Sequence, residues 1–519
     1  MTLSDGLHQL IHKLTPSEKR YVQIYAKRHT LHGENKYMKL FDEILKQEVY
    51  DAASIKNKII YKHGLRDLNS GKLYLKKLIG KSLREFYSGA DVTREISDLF
   101  CDEMICTSKF LYDQSERILS KIEKLAERFE KFPALLECYE RQRRLLFYGK
   151  AIDAMEKLET LQSKRVRVIE LMEVETQYQY LYSKITFIYK EQHFLHEKNT
   201  EVVKAIMEND LMTDYTRAVT FSSKHCFFMS HRVYHNLCSN PEKSLEIQRS
   251  SIQLLESDEA RIKDEPLRYF GEYNIYIRAC RFLNRFREHQ EAMTKMKKFL
   301  AENPSLRIHY VKHMGSTELL YYMNTGEIQK GIDLVENILE EGFAELKQQT
   351  TKSRALINYY NFTIIYFFGH KMKSAHKWLN MILNEKKSDT RKDIQDFARV
   401  LELLFFFEMN TDKDIIEKIN ALNRHFKGND ETVSFERLIL KYLKKLAEKS
   451  IIQKRHPIYI ELRDEIAKFR KDNPLKRELG VEEIEIWVNS KIAGKSIPQL
   501  VRDQFLETFP PDVRAEIDA

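Results

Sequence analysis

His231 and His235 stand four apart with Cys238 three further on, so on one helix they share a face, and His225 and Cys226 lie a turn or two earlier. Three or four such donors converging on one point could hold a transition metal. No glutamate follows His231 as in HExxH, however, and Leu237-Cys238-Ser239-Asn240-Pro241 reads as a helix end, so these are read as ordinary helix residues and no metal is expected. Gly80-Lys81-Ser82 and Gly494-Lys495-Ser496 resemble the end of a phosphate loop. That loop needs a glycine where Leu75 and Asn489 stand, and the first triplet sits inside a helical pattern. No GxSxG, GxGxxG or His-Arg-Asp motif occurs. The paired carboxylates Glu340-Glu341 and Glu482-Glu483 read as solvated faces in a chain with 77 Asp+Glu. The chain is therefore expected to be no enzyme and to carry no cofactor.

What remains is chemistry of binding, and its first signal is charge. The net charge of the 519 residues is +9, yet residues 1–90 hold 17 Lys+Arg against 9 Asp+Glu, so 17 − 9 = +8 falls in the first 90. Within that segment Lys72, Lys76, Lys77, Lys81 and Arg84 punctuate a helical pattern whose apolar positions are Leu73, Leu75, Leu78, Ile79, Leu83 and Phe86. A basic helix after shorter ones could neutralise nucleic-acid phosphates, as a recognition helix does. The alternative is a bundle with a solvated lysine face, favoured by the predominance of lysine over arginine and the lack of a base-reading cluster.

The elements that would position these groups are helices. Gly (16) and Pro (10) are scarce in 519 residues, and sheets and long loops need both. Six cysteines without a CxxC pair read as reduced thiols of a cytoplasmic protein. No apolar run opens the chain as a signal peptide, and the apolar stretches 355–369 and 400–409 are too short to span a bilayer, so no membrane partner is expected. In residues 1–90, Thr15-Pro16-Ser17-Glu18 starts a helix that buries Tyr21, Ile24 and Tyr25; further helices follow over 37–45, 51–59 and 72–86. Residues 91–113 read as a connecting helix, 114–450 as a repeat array, and 451–519 as a helical cap and tail, with Trp487 docking on the last repeat.

The array shows most clearly in 274–427. Small positions Ala292, Gly331 and Ala375, with Ile416 as a looser fourth, recur at spacings of 39, 44 and 41, each behind a turn: 286–288, 325–327, 369–371 and 410–412. Gly326 and Gly369 suit those turns as left-handed residues. With Phe299-Leu300 and Pro304 closing one repeat, the pattern resembles degenerate tetratricopeptide (TPR) repeats, longer than the usual 34 residues. Leu14–Tyr21 and Ile486–Lys491 further resemble an uncharacterised family of bacterial TPR-like proteins.

The expected fold is all-α: a TPR-like right-handed α-solenoid of antiparallel helix pairs, with an N-terminal basic helical bundle and a C-terminal helical cap. The resemblance implies that first helices line a concave groove. In that register Arg281, Asn284 and Arg285, then His313, Ser316, Leu320 and Asn324, then Tyr360, Ile364 and Phe367 face a peptide or protein partner, arginines taking carboxylates and aromatics taking apolar side chains. The function expected is a non-enzymatic interaction scaffold, with a nucleic-acid-associated regulator acting through residues 1–90 as the alternative.

Overall fold

A computed structural model describes residues 3–28, 35–47, 49–63, 67–89, 91–148, 153–190, 197–346, 351–385, 390–409, 414–426, 435–449, 454–472 and 479–509. Among the described residues there is no strand, and the helices pack in pairs. Two compact units divide between Tyr269 and Phe270.

Unit 1 opens with α1 (Leu3–Lys13), α2 (Pro16–Arg28), α3 (Lys36–Leu45), α4 (Ala52–His63) and α5 (Leu68–Phe86). The start of α2 is a capping box: Glu18 N–H donates to Thr15 Oγ1 at 3.2 Å, and Thr15 N–H donates to Glu18 Oε2 at 2.6 Å. A side-chain cap of this type contributes about 1 kcal/mol. The core of this bundle gathers Leu7, Ile11, Val22, Phe41, Ile44, Ile59, Leu75 and Ile79. Helix α1 was not expected from the sequence. It packs on α3 and α5 and adds Leu7 and Ile11 to the core, while α2, lying on α5, buries Val22 and Ala26 beside Tyr25 and leaves Ile24, expected inside, exposed.

Next come α6 (Val92–Ser108), α7 (Tyr112–Arg128), α8 (Phe132–Leu145), the 37-residue α9 (Ala154–Lys190), α10 (Glu197–Met207), α11 (Asp210–Thr213), α12 (Phe221–Leu237), α13 (Pro241–Glu256) and α14 (Glu259–Asp264). Neighbours form antiparallel hairpins, α6 on α7, α7 on α8 and α12 on α13. Glu103 is buried between α6 and its neighbours, where it accepts from Ser115 Oγ, Thr107 Oγ1 and Arg141 Nη1 at 2.7, 2.7 and 2.6 Å. Burial pushes its carboxyl up, but those hydrogen bonds and the Arg141 charge outweigh it and hold the group below the ordinary carboxylate range.

Unit 2 holds α15 (Pro266–Phe282, from Phe270), α16 (Phe286–Glu302), the short α17 (Arg307–His309) running into a π turn (Tyr310–Met314), α18 (Gly315–Thr325), α19 (Ile328–Leu334), α20 (Glu340–Leu346), α21 (Lys352–Phe368) and α22 (Met372–Leu383). It continues through α23 (Lys392–Met409), α24 (Ile415–Phe426), α25 (Phe435–Ala447), α26 (His456–Asp472), α27 (Val481–Ala493) and α28 (Ile497–Glu507).

One turn recurs in both units. Phe110, Glu130, Ser239, Asn284, Gly326 and His370 all have positive φ, and after each the next helix begins two residues later. At five of the six the following N–H bonds back five residues, as in Leu111 to Cys106 O at 2.9 Å and Arg285 to Cys280 O at 2.8 Å. This is the Schellman closure, which satisfies the last carbonyls of the first helix and turns the chain into an antiparallel partner. Only one of the six is glycine, so most of these turns place a side chain in a left-handed conformation that costs about 1 kcal/mol or more. That cost hid the turn after α15 from the sequence. It falls at 283–285, ahead of the expected 286–288, because Asn284 bends the chain.

The turn after α21 differs from expectation too. Gly369 has φ −79 and His370 takes the left-handed position. Glycine serves close contact there instead: a Cβ on Gly369 would lie 2.5 Å from Ile332 Cδ1, whose side chain would have to shift. Ala292, Gly331 and Ala375 are buried, as small residues at a helix–helix approach should be. Residues 410–412, expected as a fourth turn, lie outside the described residues.

Candidate functional site

The residues expected at a groove divide by depth. Helix α21 is apolar nearly all round and buried from Asn358 to Phe368, as such a helix must be. Tyr360, Ile364 and Phe367 therefore sit inside the packing instead of on an open face: Ile364 is 0% exposed and Phe367 stacks on Phe405 at 5.1 Å. The Tyr360 hydroxyl faces the Glu483 carboxyl of α27, and burial with that neighbour pushes its pKa well above 10. Ser316 Oγ, on α18, donates to Asn358 Oδ1 of α21 at 2.6 Å, tying these two helices together.

Asn284, Leu320 and Asn324 do converge. They line a pocket of about 500 Å³ whose floor includes Phe286 and Met323 and whose far wall is Glu482, Glu483 and Ile486 of α27 with Val501, Gln504 and Phe505 of α28. The carboxy-terminal helices make this wall. Phe505 meets Phe286 edge-on at 4.9 Å and Phe509 at 5.0 Å. The backbone of α28 passes so close to Gly326 (φ +76) that a Cβ there would lie 2.6 Å from Arg502 N and 2.8 Å from Pro498 O. Trp487, buried in α27, donates from Nε1 to Glu408 Oε1 of α23 at 3.0 Å, and Lys491 pairs with Glu408 at 2.7 Å. The cap thus reaches beyond the last hairpin to α18.

Charge around the pocket is uneven. Glu483 is half-buried and pushed up, first by burial and then by Glu482. Arg281 is half-buried with its Nε unpartnered among the described residues; burial and the Arg278 charge pull its pKa down, and Glu482 offsets part of this. Arg285 is exposed at the start of α16. His313 lies half-buried in the π turn, its pKa lowered to about 4 by burial and then by Arg354, Lys312, His309 and Arg278. Sequence reasoning missed Arg278 and Arg354. The signal was available in stretches free of Asp and Glu, residues 273–287, 303–317 and 346–384, each of which carries cations.

On α5 the expected basic face is partly there. Lys76, Lys77, Lys81 and Arg84 are exposed, beside exposed Leu73 and Tyr74, and Tyr74 stacks on Tyr37 at 4.0 Å. Lys72 is not on it. Its side chain is buried, with Nζ donating to the Tyr50 hydroxyl and lying 4.7 Å from that ring's centre. Four residues from Lys76 on the other edge of the face, Lys72 turns toward the bundle core, where an aromatic hydroxyl satisfies the ammonium.

His231 donates from Nε2 to Met212 O at 2.8 Å, a structural bond on the helix face considered for a metal. No group of three His, Cys, Asp or Glu side chains gathers around a common point among the described residues. Gly80-Lys81-Ser82 lies within α5, and Ser496 accepts from Gln499 N–H as the cap of α28. No described helix is long and apolar enough to cross a membrane. No family model matches the chain, and no match is found among curated proteins or solved structures.

Proposed function

We propose that the protein is a non-enzymatic recognition scaffold that takes an extended or helical peptide segment of a partner protein into the unit 2 pocket. The supporting observation is the convergence of Asn284 from the turn after α15, and of Leu320 and Asn324 from α18, on one concavity walled by aromatic and carboxylate side chains of α27 and α28. Asn amides offer both donors and acceptors to a peptide backbone, and the Phe505 ring offers an apolar anchor site. In this reading the helix pairs form a TPR-like α-solenoid in a cytoplasmic protein. The test is selection of a displayed random-peptide library on the full chain, repeated with Leu320→Arg. A sequence-enriched peptide whose affinity falls at least tenfold in the variant supports the pocket. Equal affinity for both proteins would move recognition elsewhere.

A second reading is favoured by the four exposed cations of α5, which have no carboxylate partner among the described residues and lie beside Tyr74. Here the bundle contacts nucleic-acid phosphates, and a single strand could stack on Tyr74. Lys76→Glu/Lys77→Glu/Lys81→Glu should abolish a gel shift seen at 50 mM salt and leave no steep salt dependence. A wild-type protein that shifts neither DNA nor RNA at low salt ends this reading.

A further inference from the structure

We propose that unit 2 contains a binding site for a phosphate dianion, formed by Arg278 of α15, His309, Lys312 and His313 of the 307–314 turn, and Arg354 in the first turn of α21.

The elements meeting here bring cations and almost no anions. Residues 273–287, 303–317 and 346–384 contain no Asp or Glu. The His309 and His313 rings lie one turn apart, their centres 6.4 Å from each other and nearly parallel. Arg278 and Arg354 both lie near enough to His313 to disfavour its charged form, and Arg278 does the same to Arg354. Neighbouring cations on these elements are already neutralised, Arg307 by Glu341 at 2.7 Å and Lys352 by Glu385 at 3.3 Å. Among the described residues, Arg278, His309, Lys312, His313 and Arg354 have no carboxylate partner.

Like charges gathered in this way, Arg278 exposed and Lys312 and Arg354 half-buried, repel one another, and an arriving anion turns that repulsion into attraction. Two guanidiniums and an ammonium carry more charge than a single carboxylate can neutralise, and the two imidazoles add hydrogen-bonding nitrogens. A dianion with several acceptor oxygens matches the forked donors of Arg278 and Arg354 and leaves oxygens for Lys312 and the histidines. Arg354 also sits in the first turn of a 17-residue helix capped by Thr351, where the backbone dipole adds positive potential. A bound anion favours the protonated form of His313, offsetting part of the burial and of the cation repulsion that together hold the ring neutral.

This site goes beyond the peptide reading and stands without it, since none of its five residues lines the 500 Å³ pocket. The experiment is thermal unfolding and calorimetry of the full chain with inorganic phosphate, against chloride at matched ionic strength. Wild type should show one phosphate bound per chain and a raised Tm. Arg278→Gln/Arg354→Gln should bind at least tenfold more weakly, yet melt at the same or a higher temperature in ligand-free buffer, because a repulsion has been removed. A phosphoserine peptide at least tenfold tighter than phosphate places the dianion on a protein partner; equal affinity places it on a small phosphorylated compound, and either supports the site. Stabilisation by chloride equal to that by phosphate, or undiminished binding in the variant, overturns it. Library peptides that still bind the variant would separate this site from the pocket.

Discussion

Trp487→Ala should lower the stability of unit 2 by about 3–5 kcal/mol, the range for removing a fully buried large aromatic side chain. Trp487 is 1% exposed, packs edge-on against Tyr459 at 5.6 Å, and donates to Glu408. Its loss opens a cavity beneath α27 and leaves the Glu408 carboxylate with Lys491 as its remaining cation. For a unit of this size the change corresponds to a fall in Tm of roughly 10 °C. Trp487→Phe keeps most of the packing and loses only the hydrogen bond, so about 1–3 kcal/mol should go. Because α27 carries Glu482 and Glu483, the alanine variant should also weaken any ligand held in the pocket. An alanine variant within about 1 kcal/mol of wild type would show that the carboxy-terminal helices are not anchored through this ring.

Acid should destabilise unit 2 through His289. The ring is 0% exposed, stacks on Tyr321 at 4.3 Å, and neither nitrogen has a hydrogen-bond partner among the described residues. Burial, and then the Arg281 charge, lowers its pKa from 6.5 to about 4. The unfolded chain therefore binds the proton more readily than the folded one. The stabilising effect of a neutral buried ring is complete above pH 6.5 and is lost as pH falls from there toward 4. The full loss amounts to about 3 kcal/mol, at 1.36 kcal/mol per pKa unit. His289→Leu removes both unpartnered nitrogens and should stay close to wild type at pH 7.5. Between that pH and 4 the variant should gain about 3 kcal/mol relative to wild type, measured by denaturant titration. Parallel stability curves for the two proteins would contradict this role.

The helical class was legible because scarce glycine and proline, together with the 3.6-residue pattern, point one way. Small positions such as Ala375 were legible because close helix approach admits few residue types. The turns were less so. Asn284 and His370 occupy left-handed positions that glycine usually fills; asparagine and histidine enter that region more readily than most residues but mark it far less sharply than glycine, and the reading of Gly369 as the bend followed from that. The burial of Tyr360 and Phe367 was missed for a different reason. Periodicity assigns a helix one buried stripe, whereas α21 is covered on several sides, by α18, α22 and α23 among others. Long-range partners such as Glu483 with Tyr360 have no local signature. The cationic cluster did have one, in the absence of Asp and Glu from three separate stretches, but only folding brings those stretches together.

Hydrogen exchange of the full chain with and without a library-selected peptide puts the recognition reading to its most direct trial. If the pocket is the site, protection should rise in α18 around Leu320 and Asn324, at the Asn284 turn, and along α28 through Phe505, and fade in the Leu320→Arg variant. Protection confined to other helices, or none at a saturating concentration of the bound peptide, would contradict it.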